Sequence, residues 1–88
     1  MNWHRPIAQH VIPSWIAAAC ELNHAHYETA GALYQSWCQY AARCGVHAGS
    51  PAEFADAMES KGFICDRLVG DRRRIRWGLR LRGNLKRR

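Results

Sequence analysis

The apolar positions of this chain fall at helical spacing through its first sixty residues and at a spacing of two near its end. Trp15, Ile16, Ala19 and Cys20 keep one face of a helix apolar and predict a helix from about Ser14 to Leu22. Residues 1–12 before it are a poorly patterned lead-in, with Pro6 and Pro13 discouraging a continuous helix, although Pro13 suits a first turn. Asn23 to Glu28 reads as a loop or a short extended segment. Leu33, Tyr34, Trp37, Cys38 and Ala41 recur at the interval that buries one stripe. They give a second helix from about Ala30 to Cys44, with Thr29 as N-cap and Gly45 as its stop. Ser50-Pro51-Ala52-Glu53 is the sharpest local signal. Serine caps, proline fills the first helical position with no amide to waste, and glutamate reaches back to the cap amide. The third helix then runs from Pro51 to about Lys61, with Phe54, Ala57 and Met58 inward, and ends at Gly62.

Beyond Gly62 the period changes. Phe63 to Val69 reads as a strand, Gly70-Asp71 as a turn, and Arg72 to about Leu81 as the second strand of a hairpin. Strict alternation in Ile75-Arg76-Trp77-Gly78-Leu79-Arg80-Leu81-Arg82 predicts Ile75, Trp77, Leu79 and Leu81 against a core and Arg76, Arg80 and Arg82 outward. The order is helix, short extended segment, helix, helix, strand, strand. This is an α+β chain of the winged helix-turn-helix class, three helices followed by a C-terminal β-hairpin wing. Its expected organisation is a lead-in over 1–12, one winged-helix domain over 13–82 and a basic tail over 83–88. At 88 residues it holds one core, since smaller pieces would not sustain their own.

Charge sharpens this picture. Eleven of the 13 lysines and arginines, but only two of the seven acids, lie from Lys61 onward, a net +9. The first sixty residues hold the other two cations and five acids, a net −3. Segregation of this kind points to a polyanionic partner. The expected contacts are Arg67, Arg72, Arg73, Arg74, Arg76, Arg80 and Arg82 in and around the hairpin. Lys86, Arg87 and Arg88 in the tail join them, with Ser50 where the third helix would attract one further phosphate. Edge protection of a sheet takes one or two charges, so this many arginines exceed that purpose. The expected partner is DNA, duplex or forked.

Other chemistries find little support in the spacing. Cys38 and Cys44 lie six apart on one helix, about 600° round and so on different sides, and no Cys-x-x-Cys accompanies them, so no metal or other cofactor is expected. Neither Cys38 nor Cys65 comes with an assignable base, which argues against an enzyme. The four cysteines read as reduced, mostly buried thiols. With no apolar run of about 18 residues and no signal segment, the expectation is a cytoplasmic protein with no membrane partner.

Taken in order, Ala32-Leu33-Tyr34, Trp37-Cys38, Gly45, Ser50-Pro51, Phe54, Met58, Gly62-Phe63 and Trp77-Gly78-Leu79-Arg80-Leu81 resemble a known family over roughly Ile12 to Arg82. That family is the small C-terminal winged-helix domain of phage and plasmid primase-helicases, the large replication proteins of mobile elements. The resemblance implies a three-helix winged fold that helps a helicase motor engage DNA, with a helicase or another replication protein as a further partner. No primase or ATPase segment is present in these residues, so the larger family's catalytic chemistry does not carry over. A second departure is the acidic third helix, where Glu53, Asp56 and Glu59 oppose phosphate approach. Two alternatives follow. One is a protein-interaction adaptor of a replication complex that docks through this helix and the N-terminal aromatics Trp3 and Trp15. The other is a small dimeric transcriptional regulator.

Overall fold

The computed structural model describes residues 7–67, 70 and 73–82. After a 3-10 turn at Gln9–Val11 come α1 (Ile12–Ala19), β1 (Cys20–Thr29), α2 (Ala30–Cys44), α3 (Pro51–Ser60), β2 (Cys65–Arg67) and β3 (Arg74–Leu81). The two longer helices begin where side chains supply acceptors for orphan amides. Thr29 Oγ1 accepts from the Ala32 amide at the start of α2. At the start of α3 the Ser50 hydroxyl accepts from the Glu53 amide while the Glu53 carboxylate accepts from the Ser50 amide, the reciprocal pair foreseen from the sequence. Gly45, at φ 70°, ends α2 in the left-handed conformation.

The three helices close around aromatic rings. Trp15 of α1 meets Phe54 of α3 edge-on at 5.6 Å and Trp37 of α2 at 6.0 Å, and Trp37 stacks on Phe54 at 6.5 Å. Both indoles are wholly buried, and each finds an acceptor, Ser36 Oγ for Trp15 and the Ala48 carbonyl for Trp37. Trp15 is therefore core and not a docking residue, which corrects the adaptor expectation on that point. Trp3 lies outside the described residues. Ile7, Ile12, Leu33, Ala57, Met58 and Leu79 complete the same cluster.

Two expectations need correction here. The first helix stops at Ala19, because at Cys20 the backbone turns extended (φ −121°, ψ 154°) and residues 20–22 pair with Leu81, Arg80 and Leu79. Cys20 is buried in either geometry, so the apolar pattern does not separate them. As a consequence the chain is not three helices followed by a hairpin. A strand between α1 and α2 joins the two late strands in a three-stranded antiparallel sheet of order β1-β3-β2, with β3 in the middle. The first of the late strands also begins later than its periodicity predicts, at Cys65. The Phe63 amide instead donates a hydrogen bond to the Met58 carbonyl at the end of α3, which keeps this residue out of the sheet. The start of the second strand at Arg72, and the strand and turn residues Leu68, Val69 and Asp71, lie outside the described residues, as does the tail over 83–88.

The β1–β3 ladder is irregular at one point. Between the pairs Leu22–Leu79 and Tyr27–Trp77, β1 spends four residues, Asn23 to His26, where β3 spends only Gly78. The extra residues loop out, and the Asn23 side chain accepts from the Ala25 amide. Gly78 takes φ 107°, and a Cβ added there would stand 3.0 Å from the Phe63 ring. Both demands select glycine.

Candidate nucleic-acid interface

The hairpin arginines do not form one row. Arg74 opens β3 and stands directly opposite Arg67 of β2, so two guanidinium side chains leave the same face of the sheet as cross-strand neighbours. Like charges in that position oppose folding. Both residues are exposed, and among the described residues neither has a carboxylate partner. Arg73 is exposed beside them. Asp66, next to Arg67 in sequence, is already engaged. Its carboxylate accepts from the Arg67 amide (2.8 Å) and the Trp77 indole (3.1 Å), and these two bonds, the amide first, hold it below the usual carboxylate range.

Arg73 and Arg74 also line an open cleft of about 370 Å³ whose other wall is Thr29, Ala30 and Gly31, the first turn of α2. Amides at a helix start carry partial positive charge. Two arginines thus lie beside a helix start in a cleft whose wall is mostly apolar.

Arg76 belongs elsewhere. The expectation that it faces outward is wrong: it is 5% exposed, and its Nη1 donates to Glu59 Oε2 at 2.9 Å and to the Phe63 carbonyl at 2.7 Å. Its neighbour Ile75 is buried too, so strict alternation fails. The physical reason is that α3 ends beside the middle strand, and there the buried cation finds both a carboxylate and an orphan carbonyl. No signal within the strand itself announces this, because the partner acid is 17 residues earlier in the chain.

Arg80 and Arg82 lie toward the other end of β3. Arg80 approaches Glu21 Oε1 through Nε and Nη2, both at 3.4 Å, and the same carboxylate lies 3.7 Å from His26. Arg82 is exposed, and its Nη2 donates to the Ala17 carbonyl in the last turn of α1, where a cation is favoured. The remaining basic residues of the expected set, Arg72, Lys86, Arg87 and Arg88, lie outside the described residues.

The third helix is less acidic toward solvent than its sequence implies. Glu53 caps its own helix and Glu59 is bonded to Arg76, which leaves the exposed Asp56 as the α3 acid that faces solvent. Ser50, expected to hold a phosphate, is half-buried and occupied in the capping pair, with the Glu53 carboxylate in the position an anion would take. One feature escapes sequence reasoning altogether. Tyr27 of β1 packs edge-on against Trp77 of β3 at 5.2 Å, with Tyr27 well exposed and Trp77 half-buried. Among the described residues no helix is long and apolar enough to cross a membrane. No protein-family model matches this chain, and a search of curated proteins returns no significant match.

Proposed function

We propose that this chain is a non-enzymatic, winged-helix DNA-binding protein connected with replication of a phage, plasmid or other mobile element. The element order α1-β1-α2-α3-β2-β3 and the sheet order β1-β3-β2 support the winged reading. So does the resemblance to the C-terminal domain of primase-helicases. The observation that carries the function is the exposed Arg67–Arg74 pair. Two cations set opposite one another, with no carboxylate partner among the described residues, cost stability in the free protein and recover it when an anion bridges them. A DNA phosphate is that anion, and arginine suits it through paired N–H donors.

The contact surface on this reading is the hairpin end, Arg67, Arg73 and Arg74, with Arg82 and Arg80 reaching the backbone farther along. Arg76 acts from inside by tying the sheet to α3. The adaptor reading loses most of its docking face, since Trp15 is core and two of three α3 acids are engaged. The test is charge reversal. Arg67→Glu with Arg74→Glu is expected to abolish an electrophoretic shift of duplex or forked DNA while leaving the circular dichroism spectrum unchanged. A shift that survives in the doubly reversed protein overturns the proposal.

A further inference from the structure

Arg67 can stand opposite Arg74 only while β2 keeps its register with β3, and β2 has little of its own to hold it there. It is three residues long, and in the sheet order β1-β3-β2 it is outermost. The Trp77 amide donates to the Ile64 carbonyl at 3.1 Å, which makes Ile64 and Trp77 a hydrogen-bonded pair of the ladder. Pairs alternate in kind along antiparallel strands, so Arg67 and Arg74 form a pair without direct bonds, Cα atoms about 4.5 Å apart and side chains at their closest. In such a pair the amides point away from the partner strand. The Arg67 amide therefore faces the open edge of the sheet, and its acceptor there is Asp66.

Asp66 reaches in two directions. Its Oδ1 accepts from the Arg67 amide at 2.8 Å and its Oδ2 from the Trp77 indole at 3.1 Å, so one side chain ties the backbone of β2 to a ring of the middle strand. That ring packs in turn against Tyr27 of β1, which extends the tie across all three strands. By register Asp66 stands opposite Ile75 and shares the face of Trp77, while Arg67 and Arg74 project from the other face with Arg76. The carboxylate braces the arginine pair from behind without neutralising it. Among the described residues no ion pair joins it to either guanidinium. We infer that Asp66 is a positioning residue for DNA binding, an acid on a cationic hairpin whose two hydrogen bonds hold Arg67 where it meets the same phosphate backbone as Arg74. The inference rests on the DNA-binding reading and deepens it. Charge alone assigns Asp66 the opposite part, since a carboxylate close to the contact surface repels phosphate and its removal would strengthen binding. Register reverses that sign, because an arginine fixed in place before the phosphate arrives loses less freedom on binding than one on an unlatched strand.

Anisotropy titrations of a labelled duplex over a range of salt, with Asp66→Ala, Asp66→Asn and Arg67→Ala beside the wild type, separate the two effects. Asp66→Ala removes both acceptor oxygens. It is expected to weaken binding roughly 3- to 10-fold and to flatten the slope of log affinity against log salt by about 0.9, as Arg67→Ala does, although no cation has been lost. Asp66→Asn removes the same charge but keeps an acceptor oxygen, and it should hold the wild-type slope. Should Asp66→Ala fail to fold by circular dichroism, Trp77→Phe decides in its place, since it keeps a ring and removes only the indole donor. Weaker binding is then expected, and unaltered binding overturns the role. Binding by folded Asp66→Ala that matches or exceeds the wild type overturns the positioning role and leaves the arginine contacts intact. Failure of the wild-type protein to bind the duplex overturns both.

Discussion

Cys20 shows how burial sets the chemistry of a single side chain. Removal from water, with the Glu28 carboxylate adding to it against the opposing effect of Arg82, pushes its thiol from an ordinary 9.0 up to about 12. Because the unfolded chain ionises first, this group's contribution to stability is whole below pH 9 and declines as pH rises toward the folded value. At pH 8 a disulfide reagent is expected to label the exposed Cys44 quickly and to leave Cys20 untouched until denaturant is added, as read by mass spectrometry of the modified peptides. Arg76 and Glu59 form an unequal pair, one buried and the other half-exposed. Arg76→Met returns Glu59 to water and should cost about 1–2 kcal/mol, whereas Glu59→Ala strands a buried cation and should cost about 3 kcal/mol or more. Urea unfolding of the two variants orders them, and the reverse order would show that the arginine is solvated in solution.

The elements were legible where local chemistry defines them. Both long helices follow from their caps, Thr29 and Gly45 for α2 and Ser50-Pro51-Ala52-Glu53 for α3, because those signals lie within a turn of the structure they specify. β1 was not legible. Its sequence, Cys20 to Thr29, has no clean alternation, and four of its ten residues sit in the looped-out stretch, so only pairing with β3 makes it a strand. The hairpin was half legible, since its position is right while the outward placement of Arg76 depends on where α3 ends. At Gly78 the strand requires a positive φ and a bare Cα beside Phe63. Gly78→Ala is expected to destabilise the fold by about 1–3 kcal/mol, measured as a lowered Tm with the helical signal retained below it.

For the chain as a whole, the charge count and the strand pattern pointed to one continuous cationic face, which folding breaks up. Folding divides the arginines into an exposed group at the hairpin end, a buried strut, and a pair toward the far end of β3 of which one shares Glu21. A linear count cannot anticipate that division, because it depends on which acids the helices bring alongside the sheet. The proposed binding mode makes it measurable. Five phosphates neutralised at Arg67, Arg73, Arg74, Arg80 and Arg82 give a slope of about −4.5 in log affinity against log salt. Replacing Arg67 or Arg74 by alanine should flatten the slope by about 0.9 each, and Arg76→Met should leave it unaltered.

The looped-out stretch from Asn23 to His26 also governs how one molecule meets another. In a sheet ordered β1-β3-β2, β1 is an outer strand whose unpaired amides and carbonyls would template a second copy if they ran straight. Four residues thrown out of line, three of them polar, spoil that template at its midpoint, so neighbouring copies are kept from zipping into fibres.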